Sequence, residues 1–280
     1  MTGYTTIVSP AEVLSHLTDP AWAVIDCRFD LKNQAWGEQV YTEGHIPGAV
    51  YAHMDRDLAV PKTANTGRHP LPPVEQLAAG FSAWGISSNT QVVVYDQAGG
   101  AFAARLWWML RYLGHNAVAV LDGGMPAWQR AGYPLAQGIE TRAPANFTAH
   151  PHPEMLVTSQ EVAAHLNDPA YRLVDARAGE RFRGEVEPID PVAGHIPGAL
   201  NRFHGENLAP TGQFLAAETL RQQFVTLLGD TSPANTIVYC GSGVTSCHHL
   251  IALELAGLPG ARLYLGSWSE WITDPNRPRS

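Results

Sequence analysis

Short apolar runs rich in β-branched residues alternate with stretches of helical periodicity along the whole chain. Val92–Tyr95 and Ile237–Tyr239 are continuous apolar runs, which is typical of strands buried on both faces of a sheet. The alternation of such strands with helices predicts βαβ units and a parallel sheet. A proline-rich segment with little periodicity, residues 141–154, is interpreted as a linker between residues 1–140 and residues 155–280.

The same order of short motifs occurs twice, at an offset of about 150 residues. Gly44–Ala49 and Gly194–Ala199 both read GHIPGA. Ser9–Glu12 and Thr158–Glu161 both have the form of a capping box, in which Ser or Thr precedes Glu by three residues. The repetition predicts an α/β protein with two domains of similar size, each a mainly parallel sheet flanked by helices.

One loop carries the strongest chemical signal of the chain. Cys240 follows the apolar run of the second half and precedes a small-residue loop, and a helical pattern begins near Val244. Backbone N–H groups and the helix dipole at such a position favour negative charge and lower the pKa of a thiol. Gly241 and Gly243 allow the backbone to curl closely around the sulfur. Cys240 is therefore the candidate nucleophile, whereas Asp96 stands at the matching position of the first half.

Taken together, these motifs resemble those of tandem-domain sulfurtransferases of the rhodanese superfamily. The resemblance covers essentially the whole chain and ends at Gly266–Trp271. It implies two tandem rhodanese-like domains, of which residues 1–140 are non-catalytic and residues 155–280 are catalytic. It also implies that a persulfide on Cys240 carries a sulfane sulfur from a small-molecule donor to an acceptor. The implied acceptor is a small thiol, a thioredoxin-like protein or cyanide, and no metal or organic cofactor takes part.

The composition of the loop bears on the donor. Gly241, Gly243, Val244 and Thr245 match the loop of 3-mercaptopyruvate sulfurtransferases, and the resemblance assigns these residues to substrate binding. Members of the family that prefer thiosulfate usually carry basic residues directly after the cysteine. The resemblance therefore implies 3-mercaptopyruvate as the donor, with thiosulfate as the alternative.

Matching motif order assigns further roles. In mercaptopyruvate enzymes a serine at the position of Ser242 is paired with a histidine and an aspartate, which correspond here to His69 and Asp55. These groups could assist proton transfer as the donor becomes an enol. Arg181 matches a donor-binding arginine, because a guanidinium group suits a carboxylate. The second family arginine is missing from the stretch that ends in Asp190, and Arg183 is the candidate replacement, although its spacing differs.

Other classes of function are disfavoured by single features. A cysteine-dependent phosphatase needs an arginine six positions after its nucleophile, and Ser246 stands there. A non-catalytic sulfur-carrier or regulatory tandem module is the remaining alternative, and the complete Cys240 loop argues against it. The net charge of −8 argues against nucleic acid and anionic membrane surfaces as partners. Adjacent His248 and His249 are expected to project in different directions, so a metal site is not predicted.

The other features receive structural interpretations. Three cysteines do not make a disulfide framework, which together with the lack of a visible signal segment or membrane span predicts a cytoplasmic protein. Cys27 and Cys247 are predicted to pack in the interior. His45 and His195 are expected to orient the two HIPGA turns. Because an Asp-x-Arg sequence occurs in both halves, at Asp26 and at Asp175, we interpret it as a structural ion pair.

Overall fold

Each half of the chain forms a five-stranded parallel sheet in the computed structural model, which describes residues 3–280. The first sheet has the spatial order β1-β5-β4-β2-β3. Its strands are β1 (Ile7–Val8), β2 (Trp22–Asp26), β3 (Val50–Tyr51), β4 (Gln91–Tyr95) and β5 (Val118–Leu121). All of the pairings between these strands are parallel, so the predicted parallel sheet of the first half is confirmed.

The second sheet has the equivalent order, β6-β10-β9-β7-β8, and is likewise parallel. Its strands are β6 (Leu156–Val157), β7 (Arg172–Asp175), β8 (Leu200–Asn201), β9 (Thr236–Tyr239) and β10 (Arg262–Tyr264). The residues of β4 and β9, the central strand of each sheet, are all buried. The two continuous apolar runs of the sequence are therefore central strands, as predicted.

Helices connect the strands of each sheet. In the first half they are α1 (Pro10–Ser15), α2 (Trp36–Glu43), α3 (Val74–Ala83), α4 (Ala103–Tyr112) and α5 (Gly124–Arg130). In the second half they are α6 (Ser159–Ala164), α7 (Gly179–Phe182), α8 (Ala217–Leu228), α9 (Cys247–Leu255) and α10 (Ser267–Trp271). Within residues 3–280, none of these helices has the length and apolar character needed to span a membrane.

The chain divides into two compact units, and each unit is built from three separate stretches of the sequence. The first unit contains residues 3–60 together with Pro72–His152 and Ala209–Phe214. The second unit contains Pro61–Leu71, Pro153–Leu208 and Leu215–Ser280. The short segment Pro61–Leu71 therefore belongs to the second unit, although it precedes α3 in the sequence.

A buried ion pair occupies the same place in both sheets. The guanidinium group of Arg28 contacts the carboxylate of Asp26 at 2.6 Å, and that of Arg177 contacts Asp175 at 2.7 Å. Each arginine also donates to the backbone carbonyl at the start of its HIPGA turn, Gly44 at 2.7 Å in one unit and Gly194 at 2.8 Å in the other. The pair thus fastens a turn to the end of a strand, and the predicted structural role is confirmed.

The two turn histidines have the predicted orienting role. His45 Nδ1 lies 2.8 Å from the carbonyl oxygen of Tyr41, and His195 Nδ1 lies 2.7 Å from that of Phe182. Because a carbonyl oxygen can only accept, each ring carries its proton on Nδ1. Each histidine therefore ties its turn to the preceding helical segment by a hydrogen bond.

The prediction of two capping boxes is right for one unit and wrong for the other. Thr158 accepts from the Glu161 N–H, and the Glu161 carboxylate accepts from the Thr158 N–H, which completes the box. Ser9 accepts from the Glu12 N–H, but the Glu12 carboxylate contacts His16 at 3.4 Å instead of closing the box. His16 lies one turn further along and competes for the carboxylate.

The buried ion pair of the second unit gives a stability prediction. Asp175→Ala removes the nearest carboxylate of the buried Arg177 guanidinium and leaves only the longer contact with Glu187 at 3.4 Å, so it should lower the free energy of unfolding by about 3 kcal/mol. Guanidinium-induced unfolding measures the change. Glu185→Ala is the matched control, because Glu185 forms an ion pair with Arg183 that is more than half exposed. An equal effect of both substitutions would contradict the structural role of the buried pair.

Candidate active site

Cys240 directly follows β9, and the start of α10 holds its backbone in place. Its carbonyl accepts from the Trp268 N–H at 3.0 Å, and its own N–H donates to Ser267 Oγ at 3.1 Å. The carbonyl of the next residue, Gly241, accepts from the Ser269 N–H at 2.9 Å. Ser267 has a φ of 56°, a left-handed conformation that few residues other than glycine adopt. The closing GSWSEW motif thus positions the cysteine loop.

The residues after Cys240 wrap around its sulfur before the helix begins. α9 starts at Cys247, three residues later than the Val244 start expected from the sequence, because residues 241–246 form the loop. Gly243 has a φ of 74°, and a Cβ atom there would collide with the carbonyl oxygen of Leu265. A glycine is therefore required at this position for the loop to pass beside the end of β10.

Hydrogen bonds stabilise the thiolate of Cys240 although the sulfur is buried. Burial opposes ionisation, but the hydroxyl groups of Ser246 and Thr245 and the backbone N–H groups of Ser242 and Ser246 donate to the sulfur. Their combined effect lowers the pKa of the thiol below its ordinary value. Ser246 Oγ lies 3.5 Å from Cys240 Sγ. The residue that replaces the phosphatase arginine is thus a donor to the nucleophile.

The other two cysteines lie in the interior, as predicted. Burial raises the pKa of Cys27 well above its ordinary value, and the nearby carboxylates of Asp26, Asp96 and Asp57 raise it further. Cys247 is also buried, and its Sγ lies 3.5 Å from the carbonyl oxygen of Gly243. Cys240 is the cysteine whose surroundings favour the thiolate.

The segment Pro61–Leu71 places His69 beside the cysteine loop. His69 Nδ1 lies 2.7 Å from Ser242 Oγ, and both side chains are buried. The preceding residue anchors the segment, since the Arg68 N–H donates to Ser269 Oγ at 3.0 Å. The structure therefore brings together two of the three residues assigned to proton transfer. Asp55 lies in the first unit, where its N–H donates to His53 Nδ1 at 3.2 Å, and its catalytic role stays a prediction.

Two guanidinium groups face the residue that follows the nucleophile. A Cβ atom on Gly241 would lie 2.7 Å from Arg68 Nη2 and 3.7 Å from Arg181 Nη2. Arg181 thus lies beside the residue that follows Cys240, and its donor-binding role stays a prediction. Arg68 is not predicted by the family pattern, in which the second arginine belongs to the stretch before the second HIPGA turn. Its position directly before His69 was the available signal.

Two acidic residues pair with these guanidinium groups. Asp190 contacts both, Arg68 through Nη1 and Arg181 through Nη2 at 3.3 Å. The Glu187 carboxylate contacts Arg181 Nη2 at 2.7 Å. Burial opposes its ionisation, but the hydrogen bonds from Arg181 and from the Asp190 N–H outweigh burial and lower the pKa of Glu187. The stretch that ends in Asp190 lacks the family arginine. It instead supplies the carboxylates that pair with Arg68 and Arg181.

Arg183 has a different environment. Its guanidinium group contacts Glu185 at 2.7 Å, and both side chains are more than half exposed. Its position therefore gives no support to the predicted donor-binding role.

The adjacent histidines of α9 share one hydrogen-bond partner, and their rings pack against different aromatic side chains, His204 for His248 and Phe224 for His249. The side-chain nitrogen of Asn207 lies 3.1 Å from His248 Nδ1 and 2.9 Å from His249 Nδ1. His249 Nε2 lies 2.8 Å from the Arg202 carbonyl oxygen, and burial lowers the pKa of this imidazole to about 3. One amide group bridges the two rings because it can donate two hydrogen bonds. No cluster of His, Cys, Asp and Glu within residues 3–280 could hold a metal ion.

Comparison with known sequences agrees with this geometry. The sequence model of the rhodanese-like domain family matches residues 9–131 and again residues 158–274. The chain belongs to the rhodanese-like domain family. Its two sheets are therefore two copies of the rhodanese-like fold, as the repeated motifs predicted.

Relatives of known description extend over nearly the whole chain. A Pseudomonas aeruginosa protein named "Probable 3-mercaptopyruvate sulfurtransferase" is 49% identical over 97% of this chain and 96% of its own length. The Arabidopsis thaliana protein "Thiosulfate/3-mercaptopyruvate sulfurtransferase 2" is 34% identical over 97% of this chain and 85% of its own length. The crystal structure of SseA from Escherichia coli, a 3-mercaptopyruvate sulfotransferase, superposes with a TM-score of 0.82 at 32% identity and covers 95% of this chain and 100% of that chain. The chain is accordingly an enzyme of the sulfurtransferase class.

The first rhodanese-like unit builds a matching loop around a carboxylate. Asp96 follows β4 as Cys240 follows β9, and its two oxygens accept from four backbone N–H groups at 2.7–2.9 Å. These donors belong to Ala98, Gly100, Phe102 and Ala103. The Asp96 carboxylate accepts hydrogen bonds from these N–H groups, but it contains no sulfur that could form a persulfide.

The hydrogen bond from Ser246 predicts a shift in the reactivity of Cys240. Ser246→Ala removes a hydroxyl group that donates to the sulfur, so the pKa of the thiol should rise. The pH profile of Cys240 alkylation by iodoacetamide, followed by mass spectrometry, should move to higher pH. Thr226→Ala removes an exposed hydroxyl on α8 and should leave the profile unchanged. The assignment is wrong if the profile of Ser246→Ala coincides with that of the unmodified protein.

Proposed function

We propose that the chain transfers a sulfane sulfur from 3-mercaptopyruvate to an acceptor thiol or cyanide through a persulfide on Cys240. The observation that carries the proposal is the arrangement around the sulfur. A stabilised thiolate lies in a loop whose Ser242 contacts His69, while Arg68 and Arg181 face Gly241. This set of groups matches the needs of a 2-oxo acid donor, which has a carboxylate to bind and a carbon that must gain a proton.

Donor binding is the first step. The donor carboxylate would bind at the two guanidinium groups next to Gly241, where charge-assisted hydrogen bonds give both affinity and orientation. Arg68 takes the part of the second arginine that is missing before Asp190. The departure of that stretch from the family pattern therefore does not count against mercaptopyruvate, because another segment supplies the cation.

The first transfer forms the persulfide. The Cys240 thiolate attacks the donor sulfur, a new S–S bond forms, and the donor C–S bond breaks with its electron pair moving to carbon. The leaving group is the enolate of pyruvate, which takes up one proton to give pyruvate. His69 and Ser242, 2.7 Å apart, are the proposed source of this proton. N–H groups and hydroxyls of the loop stabilise the sulfur anion throughout.

The second transfer releases the sulfur. An acceptor thiolate attacks the outer sulfur of the persulfide, a bond forms between them, and the bond to Cys240 breaks to regenerate its thiolate. With cyanide the same displacement gives thiocyanate. The proposed acceptors are a small thiol or a thioredoxin-like protein. Cys240 is 2% exposed, which favours acceptors with a slender reactive end.

The proposal also assigns different roles to the two domains. We propose that the domain of residues 1–140 is non-catalytic in the sense that it has no nucleophile of its own, because Asp96 fills that position, and that residues 155–280 supply the nucleophile beyond a linker at residues 141–154. The three cysteines are all free, which fits a reducing compartment, and we propose the cytoplasm.

Thiosulfate is the second candidate donor. Two guanidinium groups beside the nucleophile could bind its sulfonate end, and one relative carries both donors in its name. Its leaving group, sulfite, departs with its electron pair and needs no proton. The His69–Ser242 pair would have no part in that reaction, so the presence of the pair favours mercaptopyruvate.

The central test is the persulfide itself. After incubation with 3-mercaptopyruvate, mass spectrometry of the intact protein should show one added sulfur atom, located on Cys240. Cys240→Ser should lack both this adduct and all turnover, because its hydroxyl is not ionised at neutral pH. Ser246→Thr keeps the donor hydroxyl and should keep the adduct. Turnover by Cys240→Ser, or absence of an adduct with either donor on the unmodified protein, would exclude the mechanism.

The proton relay predicts an effect that depends on the donor. His69→Ala should lower kcat with 3-mercaptopyruvate by about 10²-fold or more, the range of general acid–base catalysis, and change kcat with thiosulfate little. Ser242→Ala should show the same pattern. The double variant should lose little more than either single variant, because the two residues act as one unit. Equal losses with both donors would show that the pair supports the loop and does not deliver a proton.

A further inference from the structure

We infer that Asp190 sets the charge of the donor that this site accepts. Its carboxylate partly neutralises the arginine pair beside Cys240, so the site favours a donor with one negative charge over a donor with two. The inference rests on the proposed sulfur transfer and adds a residue that determines specificity among donors. The favoured chemical class is a 2-oxo acid monoanion, and the disfavoured class is a dianion such as thiosulfate.

The geometry places Asp190 between the two cations. One carboxylate oxygen contacts Arg68 Nη1, and the other contacts Arg181 Nη2 at 3.3 Å. The Asp190 side chain is 2% exposed, so water screens these contacts poorly. The same two guanidinium groups face Gly241. A donor anion that approaches Cys240 therefore meets two arginines that already share a carboxylate.

The four charged side chains beside Cys240 have a net charge of zero. Arg68 and Arg181 contribute two positive charges, and Asp190 and Glu187 contribute two negative charges. Without the acids, the pair of arginines would match a dianion. With both acids in place, each further negative charge brought by the donor is attracted by the arginines and repelled by carboxylates beside them. Because Coulomb energy scales with the product of the charges, a dianion meets twice the attraction and twice the repulsion that a monoanion meets, so a group of zero net charge does not offset the larger desolvation cost of the dianion.

Asp190 and Glu187 differ in how much of the local backbone depends on them. Glu187 accepts from the N–H groups of Ile189 and Asp190 at 3.1 and 3.0 Å and also contacts Arg177 at 3.4 Å. The Glu187 side chain therefore stabilises the backbone of the turn at residues 187–190. The contacts of the Asp190 carboxylate are with the two arginines of the site. Asp190 is thus the acid whose charge can be removed while the turn keeps its hydrogen bonds.

The test compares the two donors on one variant. Asp190→Asn keeps the size of the side chain and removes its charge. Values of kcat/KM for thiosulfate and for 3-mercaptopyruvate, with the same acceptor, give the ratio that the inference addresses. If the substitution raises kcat/KM for the monoanion about threefold, the factor for the dianion should be about the square of that, roughly tenfold, since the interaction doubles. The ratio in favour of thiosulfate should therefore rise.

Matched variants separate charge from other effects. Asp230→Asn makes the same change at an exposed position of the second unit and should leave the ratio unchanged. Asp190→Glu keeps the charge and should also leave the ratio close to that of the unmodified protein. Asp190→Ser removes the charge with a smaller side chain, and its ratio should rise as that of Asp190→Asn does. This second neutral variant tests the inference even where the asparagine variant does not fold.

The outcomes distinguish the inference from the proposed function. If the unmodified protein turns over and the neutral variants keep its donor ratio, or lose activity equally with both donors, Asp190 only positions the arginines and the inference is wrong. If Asp230→Asn shifts the ratio as strongly, overall charge and not the site is responsible, and the inference is again wrong. If the unmodified protein forms no Cys240 persulfide with either donor, it is the proposed function that fails.

Discussion

Convergence of backbone N–H groups at the end of a central parallel strand is the constraint on which both halves of the molecule depend. A loop that directs several N–H groups toward one point requires an acceptor there, because buried donors without partners are costly. In the first unit the carboxylate of Asp96 accepts from four such groups. In the second unit the sulfur of Cys240 takes this place, and the donors that the fold must satisfy become the donors that stabilise a thiolate.

Pairing of charges shapes the rest of the site. Arginines beside Cys240 would attract an anionic donor, but partly buried cations need carboxylates to balance their charge. Asp190 and Glu187 meet this need for Arg68 and Arg181, and Glu187 connects the site to Arg177 and so to the ion pair with Asp175. The Asp175–Arg177 ion pair and the arginines beside Gly241 are thus parts of one chain of charges. The inferred effect of Asp190 on donor choice is an effect on the balance of charge within this chain.

Structural features that depend on short stretches of sequence could be predicted. Features that depend on contacts between residues far apart in the sequence could not. Central strands, the duplication and the Asp–Arg pairs all follow from runs and motifs a few residues long, and so does the position of the candidate nucleophile at the end of β9. The start of α9 was misplaced because its apolar residues first form a loop around the sulfur. Arg68 was missed because its N–H bonds to Ser269, 201 positions away in the sequence. The shared bridge from Asn207 to His248 and His249 likewise depends on a loop that the helix pattern does not reveal.

The two halves show separately what the loop of N–H groups contributes and what the surrounding side chains contribute. A carboxylate and a thiolate satisfy the same kind of loop, so the N–H groups select for negative charge and not for a particular element. Charge selection explains why Cys240 is ionised easily, but it does not explain which molecule it attacks. That choice belongs to the groups around the loop: His69 on Ser242, and the two arginines at Gly241 with Asp190 between them. Since Arg68 and His69 both come from Pro61–Leu71, the proposed donor specificity depends on the placement of this segment in the second unit.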